Sequence, residues 1–160
     1  MAENLGYSGR LAEPTPRPRI LLLVGLPGSG KSTWVSGKPG VLSSDALREL
    51  LADDPNNQNI HDRVFRVLRG LLKHRLELER PVTYIDATNL TPKERRPYIK
   101  LAERCGGQME AVFFDVPAEE CVRRNRGRNR IVPDAVIARM AAKLVPPALE
   151  EGFLRVTVLR

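Results

Sequence analysis

The run Gly25-Leu26-Pro27-Gly28-Ser29-Gly30-Lys31-Ser32 fits the pattern G-x-x-x-x-G-K-[ST] in full. Such a loop sits between a strand and a helix, and both neighbours are legible. Ile20-Leu21-Leu22-Leu23-Val24 is an apolar run of buried-strand length. A helix is predicted to open at Lys31 and fade near Gly37. The glycines let backbone N–H groups converge on a phosphate without side-chain obstruction, and the helix offers its positive end. Lys31 is then placed to reach β- and γ-phosphates, and the Ser32 hydroxyl to ligate Mg²⁺. Gly25, Pro27, Gly28, Ser29, Gly30, Lys31, Ser32 and Thr33 form the candidate nucleotide-binding set, although Thr33 and Trp34 also suit capping and packing.

The rest of the chain alternates strand and helix patterns. Val41-Leu42 reads as a short second strand and Asp45 to Leu51 as a helix. A loop follows at Asp53-Asp54-Pro55-Asn56-Asn57. Ile60, Val64, Val67, Leu68, Leu71 and Leu72 fall at helical spacing, predicting a long helix to about Glu79 that Pro81 stops. Val82 to Ile85 is the third strand. Thr91-Pro92-Lys93-Glu94 is a capping box with proline at the first helical position. Its helix should run to Cys105, with Pro97 as a point for a kink and Gly106-Gly107 as the stop. Ala111 to Phe114 is the fourth strand, Ala118 to Asn125 and Asp134 to Leu144 are helices, and Val156 to Leu159 is the last strand. This order predicts an α/β fold: a central parallel sheet of about five strands with helices on both faces. Ligands then bind at the carboxyl ends of the strands.

Residues 1–19, with three prolines and two glycines, are expected to form a flexible leader, and residues 20–160 one domain. The net charge of +7 attracts phosphate-rich ligands, and it also serves plain solubility. Two cysteines at no metal-ligand spacing are expected as free thiols in a reducing compartment. No apolar run approaches the ~20 residues of a membrane helix. The expected location is cytoplasmic, with no membrane partner.

Three further segments carry candidate chemistry. Ser44-Asp45-Ala46-Leu47-Arg48 places Asp45 and Arg48 three apart on one helical face. A carboxylate there can take the proton of an attacking hydroxyl, and the arginine can fork onto an acceptor phosphate. The competing reading makes Asp45 an N-cap and Arg48 a solvated charge. Tyr84-Ile85-Asp86-Ala87-Thr88-Asn89 ends the third strand on an acid suited to the magnesium, with Thr88 and Asn89 as candidate substrate contacts; Asn89 also suits a turn before the capping box. Arg123-Arg124-Asn125-Arg126-Gly127-Arg128-Asn129-Arg130 holds five arginines in eight residues around one glycine. Between two helices, at about 123–134, it suits a lid closing on a triphosphate. It equally fits a basic surface loop or an electrostatic nucleic-acid contact. Arg124 and Arg128 lead the lid candidates, with Arg130 close behind.

Taken in order, these segments resemble the P-loop kinase module of the polynucleotide 5′-hydroxyl kinase family, which includes phage, bacterial RNA-repair and animal kinase-phosphatase enzymes. The resemblance covers roughly residues 20–153. It rests on Gly25 to Trp34, Ser44-Asp45-x-x-Arg48, Asp86-Ala87-Thr88-Asn89-Leu90, Phe114-Asp115-Val116-Pro117, Arg124-Asn125-Arg126, Val132-Pro133 and Pro147 to Phe153. It implies ATP and Mg²⁺ as cofactors and a 5′-OH end of RNA or DNA as acceptor. It also implies Lys31 and Ser32 as ATP and magnesium ligands, Asp45 as general base, Arg48 on the acceptor phosphate, and Arg128 on the ATP phosphates. Spacing to the Val-Pro pair varies among relatives, so Arg126 or Arg130 compete for the last role. Within these 160 residues no counterpart is expected of the phosphatase or ligase domains fused in several members. Two rival readings keep the scaffold: a kinase for a metabolite, sugar or antibiotic, and an ATP-dependent binding module without transfer.

Overall fold

The computed structural model describes residues 15–160. The expected leader falls mostly on residues 1–14, outside the described part. Residues 15–18 have no regular structure. Strand β1 (Arg19–Val24) begins one residue before the apolar run. Arg19 is drawn in because its N–H donates to Pro81 O at 2.9 Å and its guanidinium forks onto the buried Glu110 at 2.7 and 3.1 Å.

The elements then follow as α1 (Lys31–Val35), β2 (Val41–Ser43), α2 (Ser44–Ala52), α3 (His61–Glu77), β3 (Val82–Asp86), α4 (Pro92–Arg104), β4 (Gln108–Phe114), α5 (Ala118–Asn125), α6 (Asp134–Lys143) and β5 (Arg155–Leu159). Three details depart from the sequence reading. Ile60 ends a separate 3-10 turn, Gln58–Ile60, which Asn57 caps by accepting from Asn59 N at 3.0 Å. Leu71 is over a third exposed, because the buried row of α3 runs through Val64, Leu68, Leu72 and Leu76 at strict four-residue spacing. β4 starts three residues early, since Gln108 N finds Pro18 O at 2.8 Å and the strand pairs with β1 from Arg19 onward.

The five strands lie in the order β2-β3-β1-β4-β5, and every pairing is parallel. Alternation along β1 sends Ile20 and Leu22 to one face and Leu21 and Leu23 to the other. The first face packs against α3 and α4 through Val64, Leu68, Leu72, Ile99 and Ala102. On the second face, among the described residues, α1 supplies the cover. It has only five residues, so Trp34 does much of the work, meeting Tyr84 and Phe114 edge-on at 6.0 Å each. Helices do lie on both faces, but unequally.

A third apolar cluster, Leu26, Leu90, Cys121 and Ile137, ties the glycine-rich loop to α5 and α6. Cys105 and Cys121 are free thiols. Among the described residues no helix is long and apolar enough to cross a membrane.

Candidate active site

All five strands point their carboxyl ends the same way, so the loops after β1, β2 and β3 converge on one edge. The loop after β1 is shaped by glycines. Gly28 and Gly30 hold φ of 82° and 100°, in the region that disfavours other residues. A Cβ on Gly28 would also lie 2.5 Å from Cys121 O, so α5 can seat against the loop only if residue 28 has no side chain.

Lys31 curls back into that loop. Its ammonium donates to Gly25 O at 2.9 Å, Leu26 O at 2.7 Å and Ser29 Oγ at 3.4 Å. Burial pulls its pKa down to about 8, while the Asp86 carboxylate opposes the fall. Ser32 Oγ donates to Asp86 Oδ2 at 2.8 Å. Burial raises the Asp86 pKa, and the Ser32 bond and Lys31 charge work against that rise.

The Ser32–Asp86 pair also tests whether Mg²⁺ fits. Both groups are hard oxygen donors, and Mg²⁺ demands near-octahedral geometry with ligands at about 2.1 Å. Adjacent ligands on such an ion stand about 3 Å apart, close to the 2.8 Å observed. Among the described residues there is no cluster of three or more acids, histidines or cysteines able to hold a metal alone. The donor set therefore fits an ion completed by phosphate oxygens and water rather than an all-protein cage.

The start of α2 separates the two readings of Asp45. Ser43 is the N-cap, accepting from Ala46 N at 3.3 Å, which leaves Asp45 free of capping duty. Nor is Arg48 a solvated charge: it is buried, with Nε lacking any partner. Its guanidinium donates to Asp45 Oδ1 at 3.2 Å, and burial lowers its pKa. A second arginine arrives from the far loop. Arg130 pairs with Asp45 through one nitrogen and donates to Asn56 Oδ1 at 2.8 Å through Nε.

The arginine-rich loop is closed at its base. Asn125 Nδ2 donates to Val132 O at 2.6 Å, and Val132 N returns a bond to Asn125 Oδ1 at 3.0 Å. Within the loop the arginines part company. Arg126 turns outward to Asp134 at 2.8 Å. Arg123 and Arg124 share Glu120. Arg124 and Arg128 line a cavity of about 550 Å³ with Gly28 to Trp34, and Arg160 and Leu159 complete its wall. Arg128 also lines a second cavity of about 560 Å³, which contains Asp45, Arg48, Asp86, Thr88 and Arg130. Pro27, Lys31 and Ser32 belong to that second cavity as well, so Lys31, Ser32 and Arg128 border both.

Thus Lys31, Ser32, Asp45, Arg48, Asp86, Thr88 and Arg128 come together. Asn89 stands apart. It is buried at φ 49°, donates to Leu23 O at 2.7 Å, and lines neither cavity. It serves as the turn residue before α4. Gly25 likewise contributes its carbonyl to Lys31 rather than a cavity wall. The sequence reading missed His61 and Phe65 of α3, Arg139 and Met140 of α6, and Arg160. All of them line a cavity. His61 and Phe65 stand four apart at the start of an amphipathic helix, but that spacing reads equally as a core edge. The fully buried Arg95 was also missed. It forks onto Glu151 at 2.8 and 2.7 Å and donates to Asn89 O and Val145 O at 3.0 Å each, tying the loop after β3 to the carboxyl-terminal segment.

Residues 20–147 match the model of a family described as AAA domain, AAA_33. An L-seryl-tRNA(Sec) kinase of Methanococcus maripaludis is 27% identical over 145 residues, covering 84% of this chain and 55% of that protein. The chain thus spans about half the length of the curated relative it matches. Among solved structures, a likeness is found to a chain of the Pnkp1/Rnl/Hen1 RNA repair complex: TM-score 0.67, 23% identity, 79% of this chain and 44% of that chain. A sugar kinase from Janibacter sp. HTCC2649 gives a TM-score of 0.61 at 22% identity, covering 90% of this chain and 85% of that one. At these identities the structural likenesses establish the P-loop kinase fold.

Proposed function

The chain belongs to the AAA domain family AAA_33, and from that premise we propose that it is an ATP-dependent kinase that phosphorylates a hydroxyl, with the 5′-OH end of RNA or DNA as its acceptor. One observation carries the reading. Two cavities meet at Lys31, Ser32 and Arg128, and the far one is floored by a carboxylate, Asp45, held between two arginines.

In this reading the glycine-rich loop and Arg124 hold ATP in the first cavity. The acceptor hydroxyl enters the second, beside Asp45. Its oxygen attacks the γ-phosphorus in line, the bond to the β-bridging oxygen breaks, and Asp45 accepts the hydroxyl proton. Lys31 and Arg128, on the border of both cavities, stabilise the charge that spreads over the transferred group. Arg48 and Arg130 suit a phosphate next to the acceptor nucleoside. Ser32 and Asp86 would hold Mg²⁺, which when bound supplies further charge neutralisation on the phosphates. Thr88 is positioned on the acceptor side. The charge of +7 suits a polyanionic acceptor.

A second reading has its own support. An acceptor-side cavity of about 560 Å³ is within the range of small-molecule sites, and two of the likenesses are named a sugar kinase and an L-seryl-tRNA(Sec) kinase. The test incubates the protein with γ-labelled ATP, Mg²⁺ and, separately, 5′-OH RNA, 5′-OH DNA, seryl-tRNA and simple sugars. Label on the oligonucleotides supports the first reading. Label only on a small or aminoacyl acceptor moves the assignment to the second. Phosphate release to water with no acceptor labelled removes the kinase reading altogether.

A further inference from the structure

Along α3, His61, Phe65, Arg69 and Lys73 follow at four-residue intervals, and such residues form one inclined row on a helix surface. The row links two places. His61 and Phe65 line the acceptor-side cavity beside Asp45. Arg69 and Lys73 line a separate open groove of about 1010 Å³ between α3 and α4. At 1.5 Å per residue, the twelve-residue interval is a path of about 18 Å leading away from the cavity.

The opposite wall of the groove is α4. Lys93, Arg96, Lys100 and Arg104 recur there at three- and four-residue spacing, so they share a stripe. Six basic side chains thus face the groove against one acid, Glu103. Lys73 has an exposed pair with Glu77 at 3.5 Å. The other five have no ion-pair partner among the described residues. Six cations from two helices, five of them without an ion-pair partner among the described residues, complement a polyanion with regularly spaced charge.

Gly70, which also lines this groove, adds an independent observation. It lies inside α3, where glycine weakens a helix relative to alanine. A Cβ there would meet nothing within 4 Å, so internal packing does not require its absence. A bare helix backbone between two rows of cations leaves room for a ligand to approach closely.

We propose that the α3–α4 groove binds the sugar–phosphate backbone of a single-stranded nucleic acid whose 5′ end occupies the cavity beside Asp45. This rests on the polynucleotide reading above. At about 3.4 Å per stacked nucleotide, the path accommodates about five residues of the strand.

The test uses the full chain and a fluorescent 12-nucleotide 5′-OH single strand, read by anisotropy without ATP between 50 and 200 mM salt. The triple variant Arg96→Gln/Lys100→Gln/Arg104→Gln changes exposed residues that line neither active-site cavity. Removing three phosphate contacts should flatten the slope of log affinity against log salt by about 2. Over that fourfold salt range the wild type should lose about 16-fold more affinity than the variant. Gly70→Ala should weaken binding of the 12-mer while its melting temperature stays level or rises. In the labelling assay, wild type should show a lower KM for a 12-mer than for a dinucleotide, and both variants should lose that difference, with kcat on the dinucleotide unchanged. Equal salt slopes and equal KM values in wild type and variants overturn the proposal. So does a triple variant that loses binding to phosphatidylserine vesicles yet holds the 12-mer as before. If the wild type binds the strand through the groove but labels no nucleic acid, the groove stands and the acceptor assignment fails.

Discussion

Asp45→Asn is the sharpest perturbation of the proposed chemistry. The amide keeps the shape of the carboxylate but cannot accept the hydroxyl proton. Loss of a positioned general base costs about 10²- to 10⁴-fold in rate, or about 3 to 5 kcal/mol in barrier. The structural cost should be far smaller. Asp45 is half exposed, so its pairs with Arg48 and Arg130 are screened and contribute about 1 kcal/mol or less to folding. Asp45 lines only the second cavity, so nucleotide affinity should stay within about threefold of wild type. The assay measures label transfer from γ-labelled ATP to a 5′-OH oligonucleotide, with nucleotide affinity from a fluorescent analogue and stability from urea unfolding. Transfer within tenfold of wild type would refute the base assignment. A fall in nucleotide affinity matching the fall in transfer would refute the separation of the two cavities.

Four further outcomes are expected. Arg128→Ala should lower transfer by about 10²- to 10³-fold, whereas Arg126→Ala, whose side chain is turned outward onto Asp134, should change it less than about threefold; matched transfer assays decide the lid register. Lys31 is held at a pKa of about 8 in the free protein, and phosphates beside it should raise that value. The complex then binds more protons than the free protein, so affinity is fullest below pH 8 and should fall about tenfold between pH 7 and 9. Lys31→Met should flatten that profile in the same titration. Glu151→Ala strands the buried Arg95 guanidinium with only two carbonyl partners and should cost about 3 kcal/mol in urea unfolding. Ser32→Ala should raise the Mg²⁺ concentration needed for half-maximal transfer by at least about tenfold, measured at saturating ATP.

Much of the fold was legible because its signals are local. The glycine-rich loop, the apolar run before it, and the periodicity of α3 each depend on residues within a few positions of one another. Even the capping box came close. Thr91 accepts from Glu94 N at 3.3 Å, but the returning Glu94 carboxylate lands on Leu90 N at 2.8 Å, one residue early. Asn89 shows the limit. A polar residue at a strand end reads as a ligand or as a turn until its neighbours in space are known, and here they are the carbonyl of Leu23 and the guanidinium of Arg95.

By itself, then, the sequence determined the element order, the parallel sheet and the phosphate cradle, because backbone sterics and hydrophobic periodicity act over short stretches of chain. Tertiary structure alone decided that Arg130 reaches Asp45 while Arg126 faces outward, and that α3 joins a cavity to a basic groove. Those placements depend on helices from distant parts of the chain packing over a common sheet edge. No spacing within one segment encodes the distance between two.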